Sequence, residues 1–262
     1  MTAFRTAVSA TLALAASAGI AAAYPVIGLV DGTTLIRFDS EAPSNITTME
    51  VTGAGALVGI DYRPGNKTLV GVTADNTIVT LDPMTGAATT LSTMNTPLPM
   101  ADTPVIVDFN PMADRLRLMT GTTNHRVNAD TGEVTVDGSL AYDAAGMHAG
   151  EAPMIAAAAY TNAFGKPEAT AMYDIDTTIG ALIRQTSPND GTLAAVGKLG
   201  VELGDTTPAF DIHTTEDGTN TAWLVAGGVI HTVDLETGAA TVVGPLEGVD
   251  GDLTDIAALP AM

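Results

Sequence analysis

The chain has 262 residues, with 30 Asp and Glu against 10 Lys and Arg, a formal net charge of −20 and no cysteine. That charge repels phosphate backbones and anionic headgroups, which excludes nucleic acid and bare membrane surface as partners, attracts cations, and by itself would also account for solubility outside the cell. The missing cysteines exclude disulfides, thiolate metal sites and a cysteine nucleophile.

Residues 1–23 carry one positive charge, Arg5, ahead of an apolar run that ends in Ala21, Ala22 and Ala23. This is the order of a secretory signal peptide, so a cleaved leader and a single mature domain over 24–262 are expected, secreted or periplasmic. The run is poor in Leu, Ile and Phe and no stop-transfer pattern follows, which argues against a membrane anchor. No later segment offers the ~18 uninterrupted apolar residues that membrane insertion needs.

From Tyr24 onward helical periodicity is nearly absent. Short Val- and Thr-rich runs alternate with turn residues, as in strands. Turns that join an Asp, Asn or Ser to a Gly recur at Asp82 to Gly86, Asn128 to Gly132, Ser187 to Gly191 and Asp234 to Gly238, with a degenerate first copy at Asp39 to Asn45. Their spacing of roughly 50 residues is that of a four-stranded propeller blade.

One blade parses as strands Leu57–Arg63, Thr68–Thr73, Thr77–Leu81 and Ala88–Met94. Inner strands of the next three fall at Val105–Asn110, Ile155–Thr161 and Ala209–His213. Leu253–Leu259 is an inner strand without a successor, while Tyr24–Val51 supplies three strands without a predecessor. The predicted fold is therefore an all-β, five-bladed β-propeller with four strands per blade, its last blade closed by the N- and C-terminal segments. Two packed sheets of a sandwich would also give evenly spaced strands, but would not make the chain ends complementary.

Blade order sorts the connections onto two faces. Asn95–Pro104, Gly138–Pro153, Glu202–Pro208 and Leu246–Asp252 form a long-loop face, and the tight hairpins Arg63–Lys67, Pro111–Arg115, Asn162–Glu168 and Thr214–Thr219 form the other. Long loops on a rigid scaffold usually carry binding, so a small ligand or a protein is expected on the long-loop face of a monomer.

Aligned inner strands place Asp61, Asp108, Asp211 and Asp255 at one position, with Ala159 in the remaining blade. Such a partial ring suits a hard cation such as Ca²⁺, a set of acids and bases, or carboxylates that tether one blade to the next through backbone N–H groups. Asp102, Glu151, Asp205 and Asp250, with Asp252, precede the inner strands on the long-loop face as a second acidic set, either cation ligands or solvated loop carboxylates.

Asp61, Asp108 and Asp211 could also serve a glycoside hydrolase. Against that, aromatic residues are only 4% of the chain and Trp223 is the sole tryptophan, while sugar sites usually want aromatic platforms. His125, His148, His213 and His231 fall in separate blades without ligand-like spacing, and the methionines are spaced irregularly, so packing roles are expected for both. No nucleophile elbow or phosphate loop is present, and enzymatic activity is the lesser expectation.

The segments at 59–72, 107–142, 157–177 and 185–201 resemble an uncharacterised family of secreted bacterial proteins, a domain of unknown function with propeller-type repeats, across nearly all of the mature chain. The resemblance implies no established activity. The functional expectation is thus a secreted binding or interaction module that holds a divalent cation near an acidic central channel, with an extracellular hydrolase as the alternative.

Overall fold

The structure, a computed structural model, describes residues 23–99 and 103–260. All but the last residue of the predicted leader, and the candidate Asp102, lie outside the described residues.

In chain order β1 (Pro25–Val30), β2 (Thr34–Asp39) and β3 (Ala42–Glu50) are followed by β4 (Leu57–Arg63), β5 (Thr68–Thr73), β6 (Thr77–Leu81) and β7 (Ala88–Thr93). Next come β8 (Val105–Asn110), β9 (Arg115–Thr120), β10 (Thr123–Asn128), β11 (Glu133–Val136) and the short β12 (Ala141–Tyr142). The remainder is β13 (Ile155–Tyr160), β14 (Met172–Asp176), β15 (Ala181–Ser187), β16 (Thr192–Lys198), β17 (Ala209–Thr214), β18 (Asn220–Ala226), β19 (Val229–Val233), β20 (Ala240–Pro245) and β21 (Leu253–Ala258).

These strands form five antiparallel blades. Spatial order is β21-β1-β2-β3 in the first, β4 to β7 in the second, β8 to β11 in the third, β13 to β16 in the fourth and β17 to β20 in the fifth. The inner strands close a ring: β4 packs on β8, β8 on β13, β13 on β17, β17 on β21 and β21 on β4. Closure is made by β21, whose ladder with β1 pairs Ala258 with Val26 and Ile256 with Gly28.

The sequence drives this layering by a gradient within each blade. Inner strands such as Ile155–Tyr160 are buried throughout, as near-continuous apolar runs require. Outer strands such as Ala88–Thr93 are Thr-rich and largely wet. The core divides into five apolar clusters, one in each seam between neighbouring blades; Val70 and Val72 of the second, for example, meet Val107, Phe109 and Leu116 of the third.

Polar ties reinforce the seams. The Arg63 guanidinium donates to Asp114 (2.7 Å from Nε and from Nη2) and to Asp130 (2.6 Å from Nη1, 2.8 Å from Nη2), locking the second blade to the third. Bidentate geometry of this kind is the strong form of a charged hydrogen bond.

The fourth blade departs from the expected four strands. Within the insertion at 138–153, β12 runs parallel to β16, pairing Ala141 with Thr192 and Tyr142 with Leu193. The Tyr142 hydroxyl donates to Asp176 Oδ2 at 2.6 Å, anchoring the insertion over an edge that would otherwise be open.

Candidate functional site

Inner-strand aspartates converge on the propeller axis, and each is held by backbone. Asp61 Oδ1 accepts the Tyr62 N–H and its Oδ2 the Phe109 N–H of the next blade, both at 2.6 Å. Asp108 Oδ1 accepts the Tyr160 N–H at 3.0 Å. Asp211 takes the Ile212 and Ala258 N–H groups, both at 2.6 Å, and Asp255 takes those of Ile256 (2.9 Å) and Ile60 (2.8 Å). The tether reading of the repeated aspartates thus describes real bonds between successive inner strands.

The partners also reveal a slip. The N–H that Asp61 reaches belongs to the residue after Asp108, and the one that Asp108 reaches belongs to the residue after Ala159. By the same rule Asp211, which reaches Ala258, identifies Ala257 as the equivalent position in the first blade. Asp255 stands two residues earlier, about 7 Å along the strand toward the long-loop face. Gly59 makes room for it, because a Cβ there would lie 2.9 Å from Asp255 Oδ2. The expected ring of four is therefore a cluster of three plus one carboxylate in another layer, with Ala159 and Ala257 at the two remaining positions.

Asp61, Asp108 and Asp211 each place a carboxylate oxygen within 4.8 Å of the others, and all three are buried. Burial raises the pKa of Asp61 and Asp108 well above the usual carboxylate range, and the negative charges of Asp211 and Asp255, with that of Asp61 on Asp108, add to it. Burial pushes Asp211 up to about 6, against the pull of its two backbone N–H bonds. Asp255 is likewise raised, chiefly by desolvation.

The three carboxyls line a cavity of about 10 Å³ that has no Lys or Arg in its wall. Tyr62, Ala163, His213, Thr214 and Pro260 line both this cavity and a groove of about 1260 Å³ on the hairpin face. The groove is walled by the β4–β5, β6–β7, β13–β14 and β17–β18 hairpins together with the chain segment at 259–260.

His213 stands at the neck. It follows Asp211 by two residues on β17 and so shares its face. It is 5% exposed, stacks on Tyr24 with ring centroids 3.4 Å apart, and neither ring nitrogen has a hydrogen-bond partner. Burial lowers its pKa to about 4, so the ring is neutral at pH 7.

The groove and the carboxyl cavity open on the hairpin face, opposite the long-loop face on which the sequence places ligand contact. The segment at 138–153 lies along β16, and Asp252 O accepts the Asp31 N–H at 3.0 Å, whereas the hairpins stand as walls around the groove. Among the described residues the members of the second acidic set form no metal-ligating group. Glu151 is an exposed partner of His148 Nδ1 at 3.0 Å, and Asp205, Asp250 and Asp252 are exposed. His213 and His231 share the fifth blade, on β17 and β19, which corrects the expectation that the four histidines fall in separate blades; among the described residues none of His125, His148, His213 and His231 belongs to a metal-ligating group. Alternation along β17 is the signal that would have found His213; Phe164, on the groove wall, left no such signal because it sits in an irregular hairpin.

Among the described residues no helix is long and apolar enough to cross a membrane. No curated protein matches the chain. Among solved structures, a protein of unknown function from Bacteroides thetaiotaomicron is similar with a TM-score of 0.51 at 16% identity, covering 89% of this chain and 64% of its own; this chain thus spans under two thirds of that protein's length. A luciferin-regenerating enzyme aligns with a TM-score of 0.47 at 14% identity, covering 86% of this chain and 72% of its own. An auxiliary nutrient binding protein from Bacteroides ovatus aligns with a TM-score of 0.46 at 11% identity, covering 89% and 61%. Residues 34–257 match the family described as Domain of unknown function (DUF4394), and the chain belongs to that family.

Proposed function

We propose that the protein is an exported binding module, secreted or periplasmic, that takes a cation on Asp61, Asp108 and Asp211 at the bottom of the hairpin-face groove, a divalent ion such as Ca²⁺ being the simplest occupant. The observation that carries this reading is the crowding of three buried carboxyls within 4.8 Å around a cavity without a basic side chain. Two carboxylates at that distance repel by about 3 kcal/mol at an effective dielectric of about 20. Full ionisation of all three is therefore unfavourable without a counter-charge, and a cation at their centre turns the repulsion into attraction. Asp108 offers the freest oxygen, since Oδ1 alone accepts a backbone N–H.

A hydrolase reading has less support. Glycosidases place two carboxyls across a sugar ring about 5–9.5 Å apart, and a cavity of about 10 Å³ has room for a water-sized particle only.

Asp108→Asn tests the cation reading, because its amide oxygen can still accept the Tyr160 N–H while the charge is gone. Wild-type protein stripped with chelator is expected to gain about 2.7 kcal/mol, roughly 5–10 °C in Tm, at a hundredfold excess of Ca²⁺ or Mn²⁺ over Kd. The variant is expected to fold and lose most of that gain. Identical melting curves for the wild type with and without Ca²⁺, Mg²⁺ and Mn²⁺ would defeat the proposal of a divalent occupant.

A further inference from the structure

A lone divalent ion uses the carboxyl cavity but leaves the adjoining groove of about 1260 Å³ unexplained. Sites for small organic molecules are typically about 300–1,000 Å³ and mostly apolar, with a few convergent polar groups. Here Leu81, Phe164, Leu259 and Pro260 supply apolar wall, and the polar convergence lies past His213 at the carboxyl cluster.

We propose that groove and cluster form one site for a small organic cation, a primary ammonium head on an apolar body, with the head among Asp61, Asp108 and Asp211 and the body along Phe164 and Leu259. This rests on the cation reading of the cluster and names the class of molecule that carries the charge.

Three features select the head group. An ammonium has three N–H donors for three carboxyls and is close to the size of a water, which a cavity of about 10 Å³ admits, whereas a planar guanidinium is too large. The charges of the groove favour a cation over an anion, since Asp82 and Glu216 line it against a single Lys67. The third is independent of the acids: His213 is 5% exposed, lines the passage between groove and cavity, and has both ring nitrogens unpartnered. A buried polar group without a partner is costly, and the acceptor nitrogen of a neutral imidazole suits an N–H donor passing that point.

Isothermal calorimetry on the purified protein can separate the alternatives with n-hexylamine, hexanoate, 1-hexanol and CaCl₂ as probes. Hexylammonium is expected to bind at least tenfold more tightly than hexanoate or hexanol, and to compete with Ca²⁺. Asp108→Asn is expected to weaken the amine at least tenfold. Phe164→Ala, on a half-exposed hairpin where folding is not at stake, is expected to weaken hexylammonium about three- to tenfold while leaving methylammonium unchanged. If Ca²⁺ binds and hexylammonium neither binds nor displaces it, the organic ligand is wrong and the cation reading stands. If no cation binds, both fail. Equal binding of the alcohol and the amine, or an affinity for hexylammonium indifferent to Phe164→Ala, would also overturn the proposal.

Discussion

At the scale of single residues, charge is placed inside this propeller under two different regimes. Arg117 is 1% exposed yet compensated, donating to Asp137 Oδ2 and Asn124 Oδ1, both at 2.7 Å, and to Asn189 Oδ1 at 3.0 Å. Asp174 is fully buried; among the described residues its carboxyl accepts a hydrogen bond from the Gln185 Nε2 amide alone, at 3.0 and 3.2 Å, and Gln185 Oε1 has no partner. Burial pushes its pKa up to about 8, moderated by Gln185 and Arg117. Between the unfolded value near 3.8 and that folded value the native state holds a proton the unfolded chain has lost, so stability falls as pH rises from about 4 to about 8 and is flat beyond. Asp174→Asn keeps the neutral shape and removes the titration. The melting temperature of this variant relative to wild type is expected to climb steadily from pH 5 to pH 8; a difference that does not change with pH would show that Asp174 is ionised in the native fold.

At the scale of elements, the repeated turns do more than reverse the chain. Gly86, Gly132, Gly191 and Gly238 all have φ between 71° and 80°, a region that favours glycine. A Cβ on each would lie 2.0–2.5 Å from a backbone carbonyl oxygen, that of the preceding blade for Gly86 (Glu50 O), Gly132 (Thr93 O) and Gly238 (Gly197 O), and that of the insertion at 138–153 for Gly191 (Gly138 O). The turn at the outer end of one blade is thus pressed against its neighbour, which explains why the glycine recurs at blade spacing. Gly132→Ala combines left-handed strain with a clash against backbone that has nowhere to move. A loss of about 1–3 kcal/mol is expected, measurable as a lower urea midpoint with an unchanged slope, and a midpoint equal to that of wild type would remove the seam role.

For the whole molecule, stability depends on closure, because β21 joins the first blade to the fifth and the second at once. Its Ile256 and Ala257 are buried, its Ala258 N–H goes to Asp211 and its Asp255 holds the Ile60 N–H. A chain ending at Asp252 leaves β1 and β17 with bare apolar faces and is expected to lose cooperative thermal unfolding and aggregate; a truncated protein that melts like the full chain would show that the ring tolerates opening. Much of this was legible from residues alone. Turn glycines at blade spacing, inner strands such as Ile155–Tyr160 and complementary ends at Tyr24 and Leu253 identify five blades and their closure, because strand formation, turn chemistry and burial of apolar runs are local demands. Of the proposed site, the sequence showed the residues Asp61, Asp108 and Asp211, which the fold brings together. Displacing a strand by two residues preserves its alternation, so nothing local distinguishes Asp255 in line with the others from Asp255 one layer away. The face on which the groove opens, and the place of His213 and Phe164 beside it, arise from how separate blades stack around the axis. That stacking is set by contacts between distant segments, and tertiary structure alone decided it.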